Sequence, residues 1–542
     1  MNKTHPRRRP IIAIRRFAAL AALPLTTVGA LAVGSSVTAA APISGAGPIA
    51  YVQGGAVRGA AVSGVDEFLG LPYAAPPIGN LRWRPPEPPR GWHGVRDATE
   101  FAPSCPQPPS PFAPPAPFSE DCLYLNIYTP ALRHHDHLPV LVWIHGGGFT
   151  GDGARNYDGS KLAADGTVVV TINYRLGALG FLAHPALASR PGGPAGNYGL
   201  MDQIAALRWV KRNIAQFGGD PHNVTIAGQS AGGVSVLDLL VSHRSRGLFR
   251  RAIVQSGAFA LTQRPLADAE AAGETFASQA GCPDQSARCL RALPVDALVN
   301  NFTAPVIPGY VDGDILTESI GSALAAGRFA HVPILNGNNQ IEELIFVAGQ
   351  HVAVSGGQFV GIPGEPIGPD NYQSDIAAVL GVSSDRAAAI AARYPIGAYP
   401  NGAVAMSVLV SDANFACPAE QVDRWTSAQV PTFAYEFDDS DAPERFAGRL
   451  PPAATHSSEI QYIFDQPNAP YPGVLNANQQ ALAASMRAAW ASFAANGDPS
   501  TPTLAWPSFN PGENVMSLVP PQPQNWTGFS DAHNCSFWST AG

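Results

Sequence analysis

A serine between two glycines stands where a buried strand is predicted to pass into a helix. The segment is Gly228-Gln229-Ser230-Ala231-Gly232, and its glycines allow a turn so sharp that a Cβ would clash with neighbouring backbone. Such a turn lifts the Ser230 hydroxyl above the sheet. It also places the Ala231 amide at a helix N-terminus, where it can donate to an oxyanion. The pattern predicts a nucleophilic serine with Ala231 as one oxyanion donor.

The second motif of interest is a run of glycines, His145-Gly146-Gly147-Gly148, which follows another predicted strand. Consecutive glycines let backbone amides point into a cavity. Gly147 and Gly148 are therefore the candidates for the other oxyanion donors, and His145 is interpreted as structural. Taken alone, each motif is weak: with 54 glycines in the chain, chance supplies roughly 0.3 serine pentapeptides of this kind, and a glycine run is also typical of a flexible turn.

A serine hydroxyl needs a base to take its proton, and the base needs an acid to orient it. For a serine on a strand–turn–helix motif, the chain order is serine, acid, histidine. Spacing does not choose among the histidines that follow Ser230, which are His243, His331, His351, His456 and His533.

The elements that would position these residues alternate between strands and helices. Continuous apolar runs at 140–144, 168–172 and 224–227 predict strands that are buried on both faces. Helical periodicity predicts helices over 201–217 and 231–242. This alternation predicts the α/β class, with a large, mostly parallel twisted sheet flanked by helices and right-handed crossovers.

The rest of the mature chain, 42–542, is predicted to belong to one catalytic domain. Residues 42–100 have the pattern of short strands and turns, and 104–119 form a proline-rich loop. The middle third, 265–440, indicates long loop and helical insertions, and a helix is predicted over 481–496.

Residues 1–41 are predicted to be a signal peptide and not part of the fold. Six basic residues precede an apolar run over 17–33, and small residues follow at 37–41, which is the layout of an export signal. A membrane anchor is the alternative, and the sequence leaves open whether export is Sec-dependent or twin-arginine. We expect a secreted protein.

Charge excludes several classes of partner. The formal net charge is −8, and without the six basic residues of the signal segment 27 of the 33 basic residues remain against 41 acidic ones. Such a surface does not suit nucleic acid or anionic lipid. No second apolar run is long enough to span a bilayer, so no stable membrane insertion is expected.

Six cysteines in an exported chain predict disulfides. They are Cys105, Cys122, Cys282, Cys289, Cys417 and Cys535. Six cysteines allow fifteen pairings, so spacing alone does not settle the connectivity. Pairing of sequence neighbours would leave Cys417 with Cys535.

The mature chain, from about residue 48 to its end, resembles the type-B carboxylesterase/lipase family, the cholinesterase-like α/β-hydrolases. The resemblance is carried by five stretches besides the serine turn, which are Phe68-Leu69-Gly70-Leu71-Pro72-Tyr73-Ala74, Glu120-Asp121-Cys122-Leu123-Tyr124-Leu125-Asn126, Gly196-Asn197-Tyr198-Gly199-Leu200-Met201-Asp202-Gln203, Phe217-Gly218-Gly219-Asp220-Pro221 and Cys535-Ser536-Phe537-Trp538. It implies an α/β-hydrolase fold and a serine esterase activity.

The resemblance also implies the rest of a catalytic triad. The family acid follows a strand that here begins at Val332, and the matching residue is Glu342. Because Ile341-Glu342-Glu343 replaces the usual Asp-Glu-Gly, Glu343 is a rival for this role. The family histidine stands three residues before a glutamate, as His456 does here. The family pairing of cysteines is 105–122, 282–289 and 417–535.

Two further residues are expected beside the triad. Ser256 resembles a serine that supports the triad in the family, although a plain strand-end turn explains it equally well. Gln229 occupies the position before the nucleophile, where the family usually has glutamate, so a negative charge beside the histidine is missing. The loop between Cys105 and Cys122 has no tryptophan, the aromatic residue with which cholinesterase-like members hold a quaternary ammonium.

These observations together predict a secreted serine carboxylesterase that hydrolyses small, uncharged esters through an acyl-enzyme. No metal and no organic cofactor is expected. The alternatives are a secreted lipase or acyltransferase, or a non-catalytic binding module on the same fold. The sequence does not define the acyl and alcohol groups or the oligomeric state.

Overall fold

The computed structural model describes nine stretches of the chain with their side chains, and two short strands by their backbone. The stretches are 47–109, 117–130, 136–188, 193, 195–302, 309–346, 367–443, 452–466 and 473–539, and the two strands are 352–355 and 358–361. The predicted signal peptide, 1–41, lies outside the described residues, as do His351 and part of the proline-rich loop.

The strands are mostly short and are numbered in chain order. They are β1 Ile49–Val52, β2 Gly55–Arg58, β3 Ala60–Val62, β4 Val65–Pro72, β5 Val95–Asp97, β6 Tyr124–Pro130, β7 Leu138–Ile144, β8 Val168–Ile172, β9 Gly219–Gln229, β10 Arg251–Gln255, β11 Arg264–Pro265, β12 Tyr310–Val311, β13 Ile334–Asn339, β14 Val352–Ser355, β15 Gln358–Gly361, β16 Thr432–Phe437, β17 Val515–Leu518 and β18 Gln524–Trp526.

The α-helices are numbered in the same way. They are α1 Ser160–Ala164, α2 Gly177–Phe181, α3 Tyr198–Asn213, α4 Ala231–Val241, α5 Leu266–Gln279, α6 Ala287–Ala292, α7 Val295–Asn300, α8 Ile320–Ala325, α9 Tyr372–Leu380, α10 Ser384–Arg393, α11 Gly402–Ser411, α12 Cys417–Ser427, α13 Ile460–Ile463, α14 Ala477–Asn496, α15 Phe529–Ala532 and α16 Cys535–Ser539. Short 3₁₀ helices cover Gly79–Leu81, Ala154–Asn156, Pro185–Leu187, Ile214–Phe217, His243–Ser245 and Ile396–Ala398, and a π-helical turn covers Asp412–Ala416.

Eleven strands form the main sheet, in the order β18-β17-β16-β13-β10-β9-β7-β8-β6-β4-β3. The run from β8 to β17 is parallel, and the strands at both edges are antiparallel. Strands such as β8, with the sequence Val-Val-Val-Thr-Ile, are buried throughout, as expected when helices cover both faces of a parallel sheet. The predicted fold class, an α/β-hydrolase sheet flanked by helices, is confirmed.

The candidate residues lie just after the carboxyl ends of the parallel strands. His145 follows β7, Ser230 follows β9, Ser256 follows β10, and Glu342 lies three residues after β13. Because the carboxyl ends of parallel strands meet at the same edge, residues far apart in the sequence come together there.

Several element boundaries differ from the sequence-based expectation. The helix predicted over 201–217 ends as an α-helix at Asn213 and continues as a 3₁₀ turn, which Gly218 closes with a φ of 81°. The strand predicted at 224–227 runs from Gly219 to Gln229, because its first residue pairs with Leu138 of β7. Tertiary pairing, which local periodicity does not report, extends this strand at both ends.

The predicted C-terminal helix begins four residues earlier than expected. In α14, Asn476 and Gln479 form a capping box that satisfies the first backbone amides. Gly497 ends the helix in a left-handed conformation with φ 86°, as glycine often does after a helix.

All six cysteines form disulfides, which link Cys105 to Cys122, Cys282 to Cys289, and Cys417 to Cys535. This is the predicted family pairing. The third bond connects the start of α12 to the C-terminal helix α16 and closes a loop of 118 residues.

One helical run among the described residues, Gly402–Ser427, passes a length and hydropathy test for crossing a membrane. Of its apolar window of 18 residues, 61% is buried inside the protein. A core helix of a globular domain has these properties.

Candidate active site

Ser230 occupies a strained turn between β9 and α4. Its φ of 57° and ψ of −124° lie in a region that residues with a Cβ rarely adopt. The flanking glycines are required by space: a Cβ on Gly228 would lie 2.4 Å from the Gly232 carbonyl oxygen, and one on Gly232 would lie 2.0 Å from the Ile144 oxygen. The backbone amide of Ser230 donates to the Gln255 carbonyl at 2.9 Å, which fixes the turn against β10.

The glycine turn after β7 lies against the nucleophile turn. A Cβ on Gly146 would lie 3.1 Å from the Cβ of Ser230, so the two motifs are in contact. Gly147 and Gly148 have φ values of 85° and 59°, and their amides find no acceptor among the described residues. The amide of Ala231 is the first of α4 and has no partner within the helix. The role of these three amides as oxyanion donors stays a prediction.

His456 is buried and bound to Glu342. Its Nδ1 donates to Glu342 Oε2 at 2.6 Å, and its backbone amide donates to the Glu342 carbonyl at 3.3 Å. Burial lowers the pKa of His456, but the charge and hydrogen bond of Glu342, with the charges of Glu459 and Glu343, raise it above the ordinary value of 6.5. The imidazole can therefore accept a proton at Nε2 and remain stable as a cation.

Glu342 is fully buried and held by its own hydrogen bonds. Its Oε1 accepts from the Ser256 hydroxyl at 2.5 Å and from the Asn339 amide at 2.7 Å. Ser256 is thus in contact with the predicted acid, at the end of β10 as the sequence also suggested. Asn339 was not among the residues singled out from the sequence.

Glu343, the rival acid, faces another group of residues. Its backbone amide donates to Ser411 at 2.9 Å, and its carboxylate accepts from Asn414 at 3.4 Å. Burial raises its pKa. Of the two glutamates, Glu342 is the one hydrogen-bonded to the His456 imidazole.

Gln229 contacts the imidazole directly. Its Nε2 lies 3.2 Å from His456 Nε2. Because Nδ1 carries a proton toward Glu342, Nε2 is the acceptor of this bond. The neutral amide therefore occupies the place beside the histidine where the family usually has a carboxylate.

Glu459 is a buried carboxylate that the sequence reasoning noted only as part of the histidine motif. It accepts from Gln255 at 3.1 Å and from Asn339 at 2.9 Å. Burial and the charge of Glu342 raise its pKa to about 7. Asn339 bridges the two glutamates, so the His456 motif brings a second acid close to the first.

The remaining histidines lie elsewhere. His243 and His331 are exposed, and His533 is bonded to two other carboxylates, Asp412 and Glu436. His145 is buried, stacks on Tyr174 with ring centroids 4.5 Å apart, and has a pKa that burial lowers. This position fits the structural role that the sequence suggested.

A metal-binding group of three or more histidine, cysteine or acidic side chains does not occur among the described residues.

The loop that the Cys105–Cys122 disulfide closes contacts the oxyanion side of the site. Gln107 donates to the Asp152 carbonyl and accepts from its amide, both at 2.8 Å.

Comparison with known proteins places this geometry among esterases. The profile of the carboxylesterase family matches residues 46–538. The fumonisin B1 esterase of Sphingopyxis macrogoltabida is 37% identical over 492 residues, covering 87% of this chain and 86% of that protein. Human cocaine esterase is 35% identical over 539 residues, covering 92% of each. A solved structure of a PNB esterase superposes with a TM-score of 0.74 at 30% identity, over 90% of this chain and 99% of that one.

Proposed function

The chain belongs to the carboxylesterase family and is a carboxylic ester hydrolase, and from that premise we propose that it works through an acyl-enzyme formed on Ser230. The observation that carries the proposal is the bond of 2.6 Å between His456 and Glu342, at the sheet edge where the strained Ser230 turn lies. A base held in one tautomer and a hydroxyl on a tight turn are what nucleophilic ester cleavage requires.

In the first half of the reaction His456 Nε2 takes the Ser230 proton while the hydroxyl oxygen attacks the ester carbonyl. The amides of Gly147, Gly148 and Ala231 hold the oxyanion, and each such donor is worth about 10²–10³ in rate. The carbonyl-to-alkoxy bond then breaks, and the alcohol leaves with the proton from His456.

In the second half a water molecule gives a proton to His456 and attacks the acyl carbonyl. The acid leaves and Ser230 regains its proton. Glu342 keeps Nδ1 protonated throughout and stabilises the imidazolium in both halves.

Uncharged esters are the substrates that fit the environment of His456. Gln229 places a neutral amide beside His456, and the Cys105–Cys122 segment has no tryptophan to hold an ammonium group. The rings of Phe346 and Phe415 lie 5.0 and 5.5 Å from the imidazole, which supplies apolar contact for an acyl or alcohol chain. The named relatives include an acylcarnitine hydrolase as well as fumonisin and cocaine esterases, so their names do not select one compound.

We also propose that the protein is exported, with 1–41 removed. The three disulfides support an oxidising destination, because cysteines stay reduced in the cytosol of most organisms. Expression with the native N-terminus in a bacterial host should give active protein outside the cytoplasm that begins near residue 42. Full-length protein retained in the membrane fraction would instead establish the anchor.

The mechanism is tested with a p-nitrophenyl ester chain-length series on wild type and Ser230→Ala. We expect a burst of p-nitrophenol from wild type and the loss of turnover in the variant, which must remain folded by circular dichroism. Equal turnover by both proteins would refute the acyl-enzyme on Ser230. A sharp rise of activity above the micelle point would favour a lipase. Transfer of the acyl group to an added alcohol would favour an acyltransferase. No turnover by wild type would favour a binding module.

A further inference from the structure

A concave surface lies on the side of the main sheet where the parallel strands begin, opposite their carboxyl ends. This cleft has a volume of about 520 Å³ and its floor includes Val224, Phe249 and Phe329, all buried. Val224 precedes Gln229 by five residues on β9, which at about 3.3 Å per residue separates the cleft from the Ser230 turn by about 17 Å of strand. The candidate active site and the cleft are therefore distinct.

Five basic side chains surround the cleft. They are Lys211, His222, Arg246, Arg250 and His331, and all five are exposed. The described residues that line the cleft include no carboxylate. A concave, low-dielectric wall with charges of one sign concentrates the field and attracts anions.

This local charge is opposite to that of the whole chain. The three segments that form the cleft, 205–224, 243–251 and 326–333, contain eight lysine or arginine residues and one acidic residue. The complete chain has 33 basic and 41 acidic residues. The acidic residue is Asp220, and its Oδ1 is already occupied by the backbone amide of His222 at 2.7 Å.

Part of this positive charge is neutralised within the protein, since Arg244 pairs with Asp314 and Arg328 with Glu318. Arg246 and Arg250 form no ion pair in the described part of the chain, and Lys211 Nζ donates to the Gly247 carbonyl at 2.7 Å. The pKa of Arg251 is lowered by burial and by the positive charge of Arg250. Like charges at this edge therefore repel one another, and an anion in the cleft would relieve that repulsion.

We propose that this cleft binds a phosphate-bearing ligand through Lys211, Arg246 and Arg250. Guanidinium groups bind phosphate oxygens in pairs, and an ammonium adds a point charge. A cleft of about 520 Å³ has the size of a small-molecule site, so the ligand is a phosphorylated compound larger than phosphate itself. A free phosphorylated metabolite and a phospholipid headgroup offer the same chemistry.

Calorimetric titration of the full-length protein with inorganic pyrophosphate tests the proposal. The double variant Arg246→Gln, Arg250→Gln should bind at least about 100-fold more weakly, since each lost charged hydrogen bond contributes about tenfold or more. The matched control is Arg90→Gln, Arg393→Gln, which removes the same charge at exposed positions outside the cleft and should bind as wild type does. All three proteins should hydrolyse p-nitrophenyl acetate equally.

Co-sedimentation with vesicles of phosphatidylglycerol and of phosphatidylcholine distinguishes the two sources. Binding to the anionic vesicles alone, lost in the cleft variant, would identify a headgroup, and pyrophosphate binding without vesicle binding would identify a free ligand. If both double variants weaken binding equally, or if wild type binds neither probe, there is no site in the cleft. Because the readout is binding, its failure is separate from any failure of the Ser230 mechanism.

Discussion

Two buried histidines in this molecule make the same bond to a carboxylate and differ in what their other nitrogen contacts. His456 and His533 each contact a carboxylate through Nδ1 at 2.6 Å. At Nε2 they differ: His456 faces the neutral amide of Gln229 at 3.2 Å, whereas His533 contacts a second carboxylate, Glu436, at 2.7 Å.

The second carboxylate decides what each imidazole can do. Burial lowers the pKa of His533, but the charge of Glu436 and the bonds to Asp412 and Glu436 raise it to about 10. That ring stays protonated at neutral pH and has both nitrogens engaged. His456 keeps Nε2 as an acceptor, so it is the one suited to take a proton. A base thus requires one acid partner and one nitrogen that carries no proton.

The largest expected effect is the loss of catalysis when the single acid partner of His456 is replaced. Glu342→Gln should lower kcat by about 10⁴-fold, because an amide no longer holds Nδ1 protonated or stabilises the imidazolium. Initial rates on p-nitrophenyl acetate measure this, with Glu343→Gln as the matched control that keeps most of the activity. A large loss in the control with activity retained in Glu342→Gln would reverse the assignment.

The next effect is on stability. His533→Gln leaves Asp412 and Glu436 buried without their cation, and we expect the free energy of unfolding to fall by about 3–5 kcal/mol. Urea unfolding measures it. His93→Gln, at an exposed position, should change it by less than about 0.5 kcal/mol. If His533→Gln is as stable as wild type, the contrast between the two clusters is wrong.

The two histidines should also separate in their response to pH. Since the pKa of His456 is raised above 6.5, kcat/KM should fall on the acid side with a midpoint above pH 6.5, as the base becomes protonated. His533 has a folded-state pKa raised to about 10, so its stabilising effect is full below its unfolded pKa of about 6.5 and disappears as pH rises through about 10. The stability gap between wild type and His533→Gln should narrow over that range, and a gap that widens would contradict the assignment.

The smallest expected effect comes from making His456 more like His533. Gln229→Glu adds a carboxylate beside Nε2, which should move the acid limb of kcat/KM upward by about one pH unit. A pH–rate profile measures the shift, and Gln229→Met, which adds no charge, serves as the control. An unchanged acid limb in Gln229→Glu would show that a charge at position 229 does not affect the pKa of the imidazole.

The local parts of the site were accessible from the sequence. The Ser230 turn, the glycine run and their flanking strands follow from residues that are adjacent in the chain. The reason for Gly228 lies within the turn, whereas Gly232 is required by the Ile144 carbonyl of the neighbouring strand β7. The pairing of Glu342 with His456, 114 residues apart, came only from the family resemblance. Periodicity gives no information on which loops meet at the edge of a sheet.

The sequence by itself determined the fold class. It predicted the oxyanion and nucleophile motifs and, through the resemblance, the disulfide pairing, the histidine and two rival acids. The tertiary structure alone decided which acid contacts the imidazole, that Asn339 and Glu459 stand behind it, and that His533 is enclosed by two carboxylates. The physical reason is that a pKa and a hydrogen bond depend on burial and on neighbours at a few ångströms. Such neighbours come from strands and loops that are far apart in the sequence.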